Sequence, residues 1–185
     1  GQEEIMNYQA MYAEKRRMPE EAVSIVRDGD WVDYGQTCSY PQLLDRALSA
    51  RSGELKDVKI RSSISMVPIA TVENDPGHSF TYNLWHCSGI DRKYLDQGRA
   101  FHSPMLFRQY GSYYRKGYAP VNVAMITVSP MDRNGNFSYG LSNAATQEIV
   151  DAAEHVIEPR MQTRFTACDR NAVQKALALS EEGKE

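Results

Sequence analysis

Three short polar stretches of this sequence carry residue types that bind or react with small molecules. The first is Gly35-Gln36-Thr37-Cys38-Ser39-Tyr40-Pro41, where Gln36, Thr37 and Ser39 offer amide and hydroxyl groups to a carbonyl or carboxylate oxygen. The second is Trp85-His86-Cys87-Ser88-Gly89, which pairs an imidazole with a thiol. The third runs from Ser129 to Gly140 and holds Ser129, Asp132, Gly135 and Ser138. Each chemistry has a plain alternative. Adjacent residues in an extended segment point to opposite sides, so His86 and Cys87 do not readily form a thiolate–imidazolium pair, and the reading of partly buried strand-end residues is favoured. Asp132-x-Asn134-x-Asn136 resembles the start of an EF-hand loop, but its glycine is Gly135 where the motif needs one at Phe137, and Asn143 stands where the closing Glu belongs. His78, His86, His102 and His155 lack metal-ligand spacing, and no CxxC, phosphate loop or dinucleotide GxGxxG is present. Ser129, Asp132 and Ser138 remain candidate ligand contacts, or turn residues that bond their own backbone.

The elements that position these stretches read as strands followed by helices. Trp31–Tyr34 is short and rich in aromatic and β-branched residues, as a strand requires. Gln42–Ala50 follows as a helix that buries Leu43, Leu44, Ala47 and Leu48, with Pro41 at its first position. The Gly35–Pro41 stretch therefore sits at a helix N-terminus, where free N–H groups favour an anion or a carbonyl oxygen. It is either a substrate loop or an ordinary strand–helix turn. Strands are expected at Val58–Ile64, Phe80–Trp85 and Val121–Val128, and the start of another at His155-Val156-Ile157. A return through Phe137–Gly140 is expected to pair across the Asn134-Gly135 turn. Helices are expected at Asn7–Arg17, from Pro19 to Gly29, at Asp91–Leu95, at Phe107–Lys116, and at Asn143–Glu154 with Ser142 as its N-cap. This alternation predicts an α/β fold: an open, mainly parallel sheet with helices on both faces. Ligands of such sheets bind outside the carboxyl ends of the strands, and the three polar stretches all follow strands.

Composition narrows the class. The 185 residues suffice for one packed domain, and the net charge of −3 gives no electrostatic reason to expect nucleic acid. The Tyr-rich helix with Arg108, Arg115 and Lys116 suits an amphipathic surface element better than a base-stacking platform. Three cysteines without regular spacing argue against a disulfide framework and for reduced thiols. No apolar run approaches the length of a membrane span and no signal-peptide apolar region heads the sequence, so a cytoplasmic protein with no membrane partner is expected. From about Arg160 onward there is no tyrosine or tryptophan. The expected division is a helical arm and first helix at 1–29, an α/β domain at 30–158, and a polar tail at 159–185 with a helix-like stretch at Asn171–Glu182.

The ordered blocks EEAVSIVRDGDWVDYG, LDRALSAR with ELKDVKIR, FTYNLWHCSGIDRK, GRAFHSPM and VAMITVSPMDRNGNFSYG resemble the N-terminal half of the acetyl-CoA hydrolase/transferase family. The resemblance runs from about Tyr8 to Ile157. WVDYG and WHCSGIDRK resemble the butyryl-CoA:acetate branch more than the 4-hydroxybutyrate branch. The resemblance implies two similar α/β domains that meet at the active site. It implies a glutamate that attacks the acyl-CoA to give a glutamyl anhydride, then a glutamyl-CoA thioester, then a new acyl-CoA, with backbone N–H groups holding the tetrahedral oxyanion. That glutamate and the main CoA-binding loop belong to the family's C-terminal domain and are not in this sequence, so no catalytic residue is assigned here.

Carried over by position, the resemblance assigns the acyl-pocket wall to Gly35, Gln36, Thr37, Ser39, Trp85, His86, Ser129, Asp132, Gly135 and Ser138. It implies no resident cofactor, a coenzyme A thioester and a carboxylate as substrates, and a C-terminal CoA-transferase domain or partner chain to complete the site. A homo-oligomer is also compatible with it. Two departures stand out. Cys38-Ser39-Tyr40 replaces the glycine that commonly precedes the proline of the first loop, and after Ile157 the sequence leaves the family pattern. The isolated chain is therefore expected to be half of a short-chain acyl-CoA:acetate transferase, inactive by itself. The alternative is a non-catalytic remnant that binds acyl-CoA or carboxylate, or assembles with a partner.

Overall fold

The computed structural model describes residues 7–157 and, as backbone, 158–159 and 165–168. In chain order the elements are α1 (Tyr8–Lys15), β1 (Arg16–Arg17), α2 (Pro19–Ala22), β2 (Trp31–Tyr34), α3 (Gln42–Ser49), β3 (Val58–Ser62), α4 (Ala70–Glu73), β4 (Phe80–Leu84), α5 (Gly89–Asp96), β5 (Ala100–His102), α6 (Tyr110–Arg115), β6 (Val121–Met125), α7 (Thr146–Ala152), β7 (Ala153–Pro159) and β8 (Phe165–Cys168). The strands form one sheet in the order β1-β8-β7-β6-β2-β3-β4-β5. The six strands from β7 to β5 are all parallel. β8 runs antiparallel to both β7 and β1. This is the α/β fold with a mainly parallel sheet that the alternation of elements predicts.

Strand alternation divides the sheet into two dissimilar faces. Val32, Tyr34, Ile60, Tyr82, Leu84, Val123 and Met125 pack with Leu44 and Leu48 of α3, Ile69, Val72 and Tyr94. The opposite face sets Ala124, Ile126 and Val156 against Tyr110 and Tyr114 of α6 and Ile149 and Val150 of α7. Complete burial of Val32, Ile60, Leu84 and Val123 stabilises the sheet by about 1.5–3 kcal/mol per side chain. The second face also buries the polar pair Asp33 and Arg61, which pack with Trp85 and Tyr114.

Several elements differ from expectation. Asn7 caps α1 by accepting the Ala10 N–H at 3.0 Å, and the basic pair Arg16-Arg17 leaves the helix to form β1. Pro41 occupies the cap of α3 rather than its first turn. The helix expected from Asn143 begins only at Thr146, and Ala145, not Ser142, precedes it. Phe137–Gly140 forms no strand, although Ser129 N–H still donates to the Ser138 carbonyl at 2.8 Å. Phe137 and Tyr139 alternate as a strand would, but both rings are buried in the second-face core. The single-turn α4 and the three-residue β5 have no counterpart in the sequence reading. The Asn171–Glu182 stretch lies outside the described residues.

Candidate functional site

From β2 the chain builds outward through β3 and β4 to β5, then returns to place β6 on the other side of β2. The carboxyl ends of β2 and β6 are therefore the point where strand order reverses, the usual location of a ligand crevice in an open parallel sheet. Two of the three polar loops emerge there side by side. Gly35 N–H donates to the Met125 carbonyl at 2.9 Å, and Thr127 N–H donates to the Ser39 carbonyl at 3.1 Å. The Thr127 hydroxyl donates to the Tyr40 carbonyl at 3.1 Å. Ser39 Oγ donates to the Ser142 carbonyl at 3.1 Å, and the Thr37 and Ser142 hydroxyls also bond. Within the first loop Thr37–Ser39 makes a tight 3-10 turn, with Thr37 at φ +48°. Gly35 is required there, because a Cβ would fall 2.3 Å from the Ser39 carbonyl oxygen.

The Ser129–Gly140 segment uses its polar groups largely on itself. Asp132 Oδ1 accepts the N–H groups of Asn134 and Asn136, each at 2.8 Å, and Oδ2 accepts from the Asn136 side chain at 3.1 Å. These bonds, the Asn136 N–H foremost, hold the Asp132 carboxyl below the usual carboxylate range. Ser129 Oγ accepts the Ser138 N–H at 2.9 Å, and Ser138 Oγ accepts the Gly140 N–H at 3.1 Å. Gly135 sits at φ +87° beneath the ring of Tyr8.

The third loop stands apart from the other two. β4 is separated from β2 by β3, which places the loop about two strand spacings away, roughly 10 Å. It is tied instead to the β3 exit, where Ile64 N–H donates to the His86 carbonyl at 3.1 Å. Trp85 is buried against Tyr110, with ring centroids 4.8 Å apart, and turns into the core. The His86 ring stacks on Tyr110 and Phe107, and its Nε2 lies 2.7 Å from the Met105 carbonyl oxygen. Burial and the neighbouring His102 lower its pKa. Burial and Asp91 push the Cys87 thiol up, the reverse of what an activated nucleophile requires. A cleft of about 730 Å³ lies at the other end of β4, lined by Glu73, His78, Phe80 and Arg99, away from all three loops.

Sequence reasoning overlooked the groups that organise this edge. Thr127 and Ser142 link the two neighbouring loops. Asp45 on α3 is fully buried and accepts from Tyr34, Tyr40, Thr71 and the Ala70 N–H. The one available signal was its place beside Leu44 inside the apolar arc of the helix.

A model of the acetyl-CoA hydrolase/transferase N-terminal domain matches residues 2–163. This chain belongs to the acetyl-CoA hydrolase/transferase family. Over 153 residues it is 36% identical to a butyryl-CoA:acetate CoA-transferase of Anaerostipes caccae, covering 82% of this chain and 34% of that protein. Over 147 residues it is 37% identical to a probable butyrate:acetyl-CoA coenzyme A-transferase of Syntrophomonas wolfei, covering 79% of this chain and 33% of that protein. The chain thus spans about a third of the length of these curated relatives. Among solved structures, RipA from Yersinia pestis superposes with a TM-score of 0.72 at 23% identity, over 91% of this chain and 43% of that one. A 4-hydroxybutyrate CoA-transferase from Porphyromonas gingivalis superposes with a TM-score of 0.60 at 19% identity, over 90% of this chain and 40% of that one. These superpositions establish a CoA-transferase-like fold for the family member described here.

Proposed function

We propose that this chain supplies the N-terminal, substrate-pocket half of a short-chain acyl-CoA:acetate CoA-transferase site. The carrying observation is the 36% identity with the Anaerostipes caccae protein across 82% of the chain. The paired loops at the β2–β6 reversal are in the position this reading requires. Gly35, Gln36, Thr37 and Ser39 on one side, and the Ser129–Ser138 loop on the other, form the wall that orients the thioester. A carboxylate nucleophile and the main CoA contacts come from a C-terminal domain, in the same polypeptide or on a partner. His86 contributes one edge of the acyl pocket, and Trp85 supports that edge from the core. The site works in the cytoplasm with no resident cofactor, since both reacting groups belong to substrates and to the nucleophile.

The test is to incubate the 185-residue chain with butyryl-CoA and acetate and to follow acetyl-CoA. The expected result is measurable butyryl-CoA binding by calorimetry without turnover. Turnover by this chain alone would disprove the need for an external carboxylate.

A second reading is favoured by one observation: Ser129, Asp132 and Ser138 spend hydrogen bonds within their own loop. On that reading the chain is a non-catalytic module that binds acyl-CoA or carboxylate. Adding the C-terminal domain of a relative separates the two, because restored turnover supports the transferase half and its absence supports the module.

A further inference from the structure

We propose that Asp45 and Tyr40 are a positioning pair that fixes the shape of the Gly35–Pro41 loop and thereby tunes the site for its thioester ligand. The second clause rests on the substrate reading above; the first stands on geometry alone. The Asp45 carboxyl group is fully buried, and its hydrogen-bond partners are Tyr34, Tyr40, Ala70 and Thr71 rather than the loop residues assigned to the pocket wall. Its two oxygens accept from two phenols that bracket the loop. Tyr34, the last residue of β2, donates to Oδ1 at 2.8 Å, and Tyr40, at the loop's far end, donates to Oδ2. The same oxygens accept from Ala70 N–H, and from Thr71 through its N–H at 3.2 Å and its hydroxyl at 2.8 Å. The carboxyl group thus clamps both ends of the loop to the start of α4.

The loop needs such a clamp. Thr37 is held at φ +48°, a backbone region unfavourable for a β-branched residue, so an unrestrained loop would relax out of its turn. Tyr40 also passes its position on, because its carbonyl accepts the Thr127 hydroxyl and so sets the neighbouring loop. Burial, with the Asp45 carboxyl group beside it, raises the Tyr40 phenol far above the usual range, so it stays a donor even in alkaline solution.

A competing role for Asp45 is only to cap α4, and Tyr40→Phe separates the two roles because it leaves the Ala70 and Thr71 bonds in place. The experiment is amide hydrogen exchange on the full chain, followed over residues 35–41 and 70–73, together with calorimetry against butyryl-CoA. Tyr40→Phe is expected to speed exchange over 35–41 by roughly tenfold, the factor set by losing one buried hydrogen bond to a carboxyl group, and to leave 70–73 unchanged. Butyryl-CoA affinity is expected to fall several-fold, whereas Asp45→Asn speeds exchange in both segments. Unchanged exchange over 35–41 in Tyr40→Phe overturns the pair. Faster exchange with unchanged affinity overturns its influence on the ligand. If the unaltered chain gives no heat with butyryl-CoA, the substrate reading fails and the affinity claim falls with it, while exchange still decides the positioning claim.

Discussion

The ring of Tyr8 lies directly on Gly135, so that a Cβ on that glycine would stand 2.5 Å from Tyr8 Cγ. The first helix therefore closes over the tip of the Asp132–Asn136 turn, and Gln9 reinforces the contact by donating to the Asp132 carbonyl at 3.4 Å. Gly135→Ala meets two penalties. The positive φ of +87° costs a residue with a Cβ about 1–2 kcal/mol, and the steric conflict adds about 1–3 kcal/mol. Urea unfolding should show a loss in that combined range. The Tyr8→Ala/Gly135→Ala double variant should recover the steric share and retain the backbone share. Equal stability of Gly135→Ala and the unaltered chain would show that the contact does not hold in solution.

Arg61 and Asp33 face each other at 3.5 Å in the second-face core, and Tyr114 donates to the same carboxyl at 2.5 Å. The Arg61 guanidinium lies over Trp31, 4.3 Å from its centroid, and donates to the Pro120 carbonyl at 3.1 Å. Asp33 is pushed up by burial, which outweighs the guanidinium beside it. Removing one member leaves the other buried and uncompensated, so Arg61→Met is expected to cost about 3–5 kcal/mol in urea unfolding. Adding Asp33→Asn should return a large part of that loss. A double variant no more stable than Arg61→Met would argue that stacking on the tryptophans, rather than charge, dominates.

The parallel strands were legible because WVDY, FTYNL and VNVAM are dense in β-branched and aromatic residues bounded by Gly, Pro and Asp. β5 was not, since Ala100-Phe101-His102 is three residues long and partly exposed, and its strand state comes from pairing with β4. The misread return at Phe137–Gly140 shows the limit of periodicity. Tertiary packing of Phe137 and Tyr139 imposes an alternation of two without any partner strand. At the candidate site, residue type led to the two loops at the β2–β6 reversal. It left open whether Asp132 and Ser129 contact a ligand or bond their own turn, because such residues suit both equally; the structure shows the turn bonds. Asp45 escaped notice for a related reason: an acid in a helix's first turn reads as a partner for the dipole.

His86 carries a pH-dependent stability term. Its pKa is lowered by burial and by His102, so the unfolded chain binds the proton more readily than the folded one. Folding stability should therefore be full above the unfolded value near 6.5 and fall as pH drops below it and through the depressed folded value. The loop tied by His86 to the Met105 carbonyl should loosen first. His86→Gln removes the titration, and its unfolding midpoint should vary less between pH 7.5 and pH 5 than that of the unaltered chain. Parallel pH profiles for the two proteins would locate the sensitivity elsewhere.

The Thr127 hydroxyl reaches from the β6 exit to the Tyr40 carbonyl, and that carbonyl also accepts the Gln42 N–H at 3.0 Å. Thr127→Val keeps the shape and the backbone bond to Ser39 but deletes this bridge. Because the Tyr40 carbonyl retains a partner, the loss of global stability should be modest, about 0.5–1.5 kcal/mol. The local effect should be larger than the global one. With the hydroxyl gone, the two loops remain joined through the Gly35 and Thr127 N–H groups and the Ser39 and Thr37 side-chain contacts, so amide exchange should quicken in residues 35–41 and 126–129 and not in β3 or β4. Butyryl-CoA affinity measured by calorimetry should weaken in step with that loosening. Uniformly faster exchange across the sheet would instead mean that Thr127 supports the whole fold rather than the junction of its two loops.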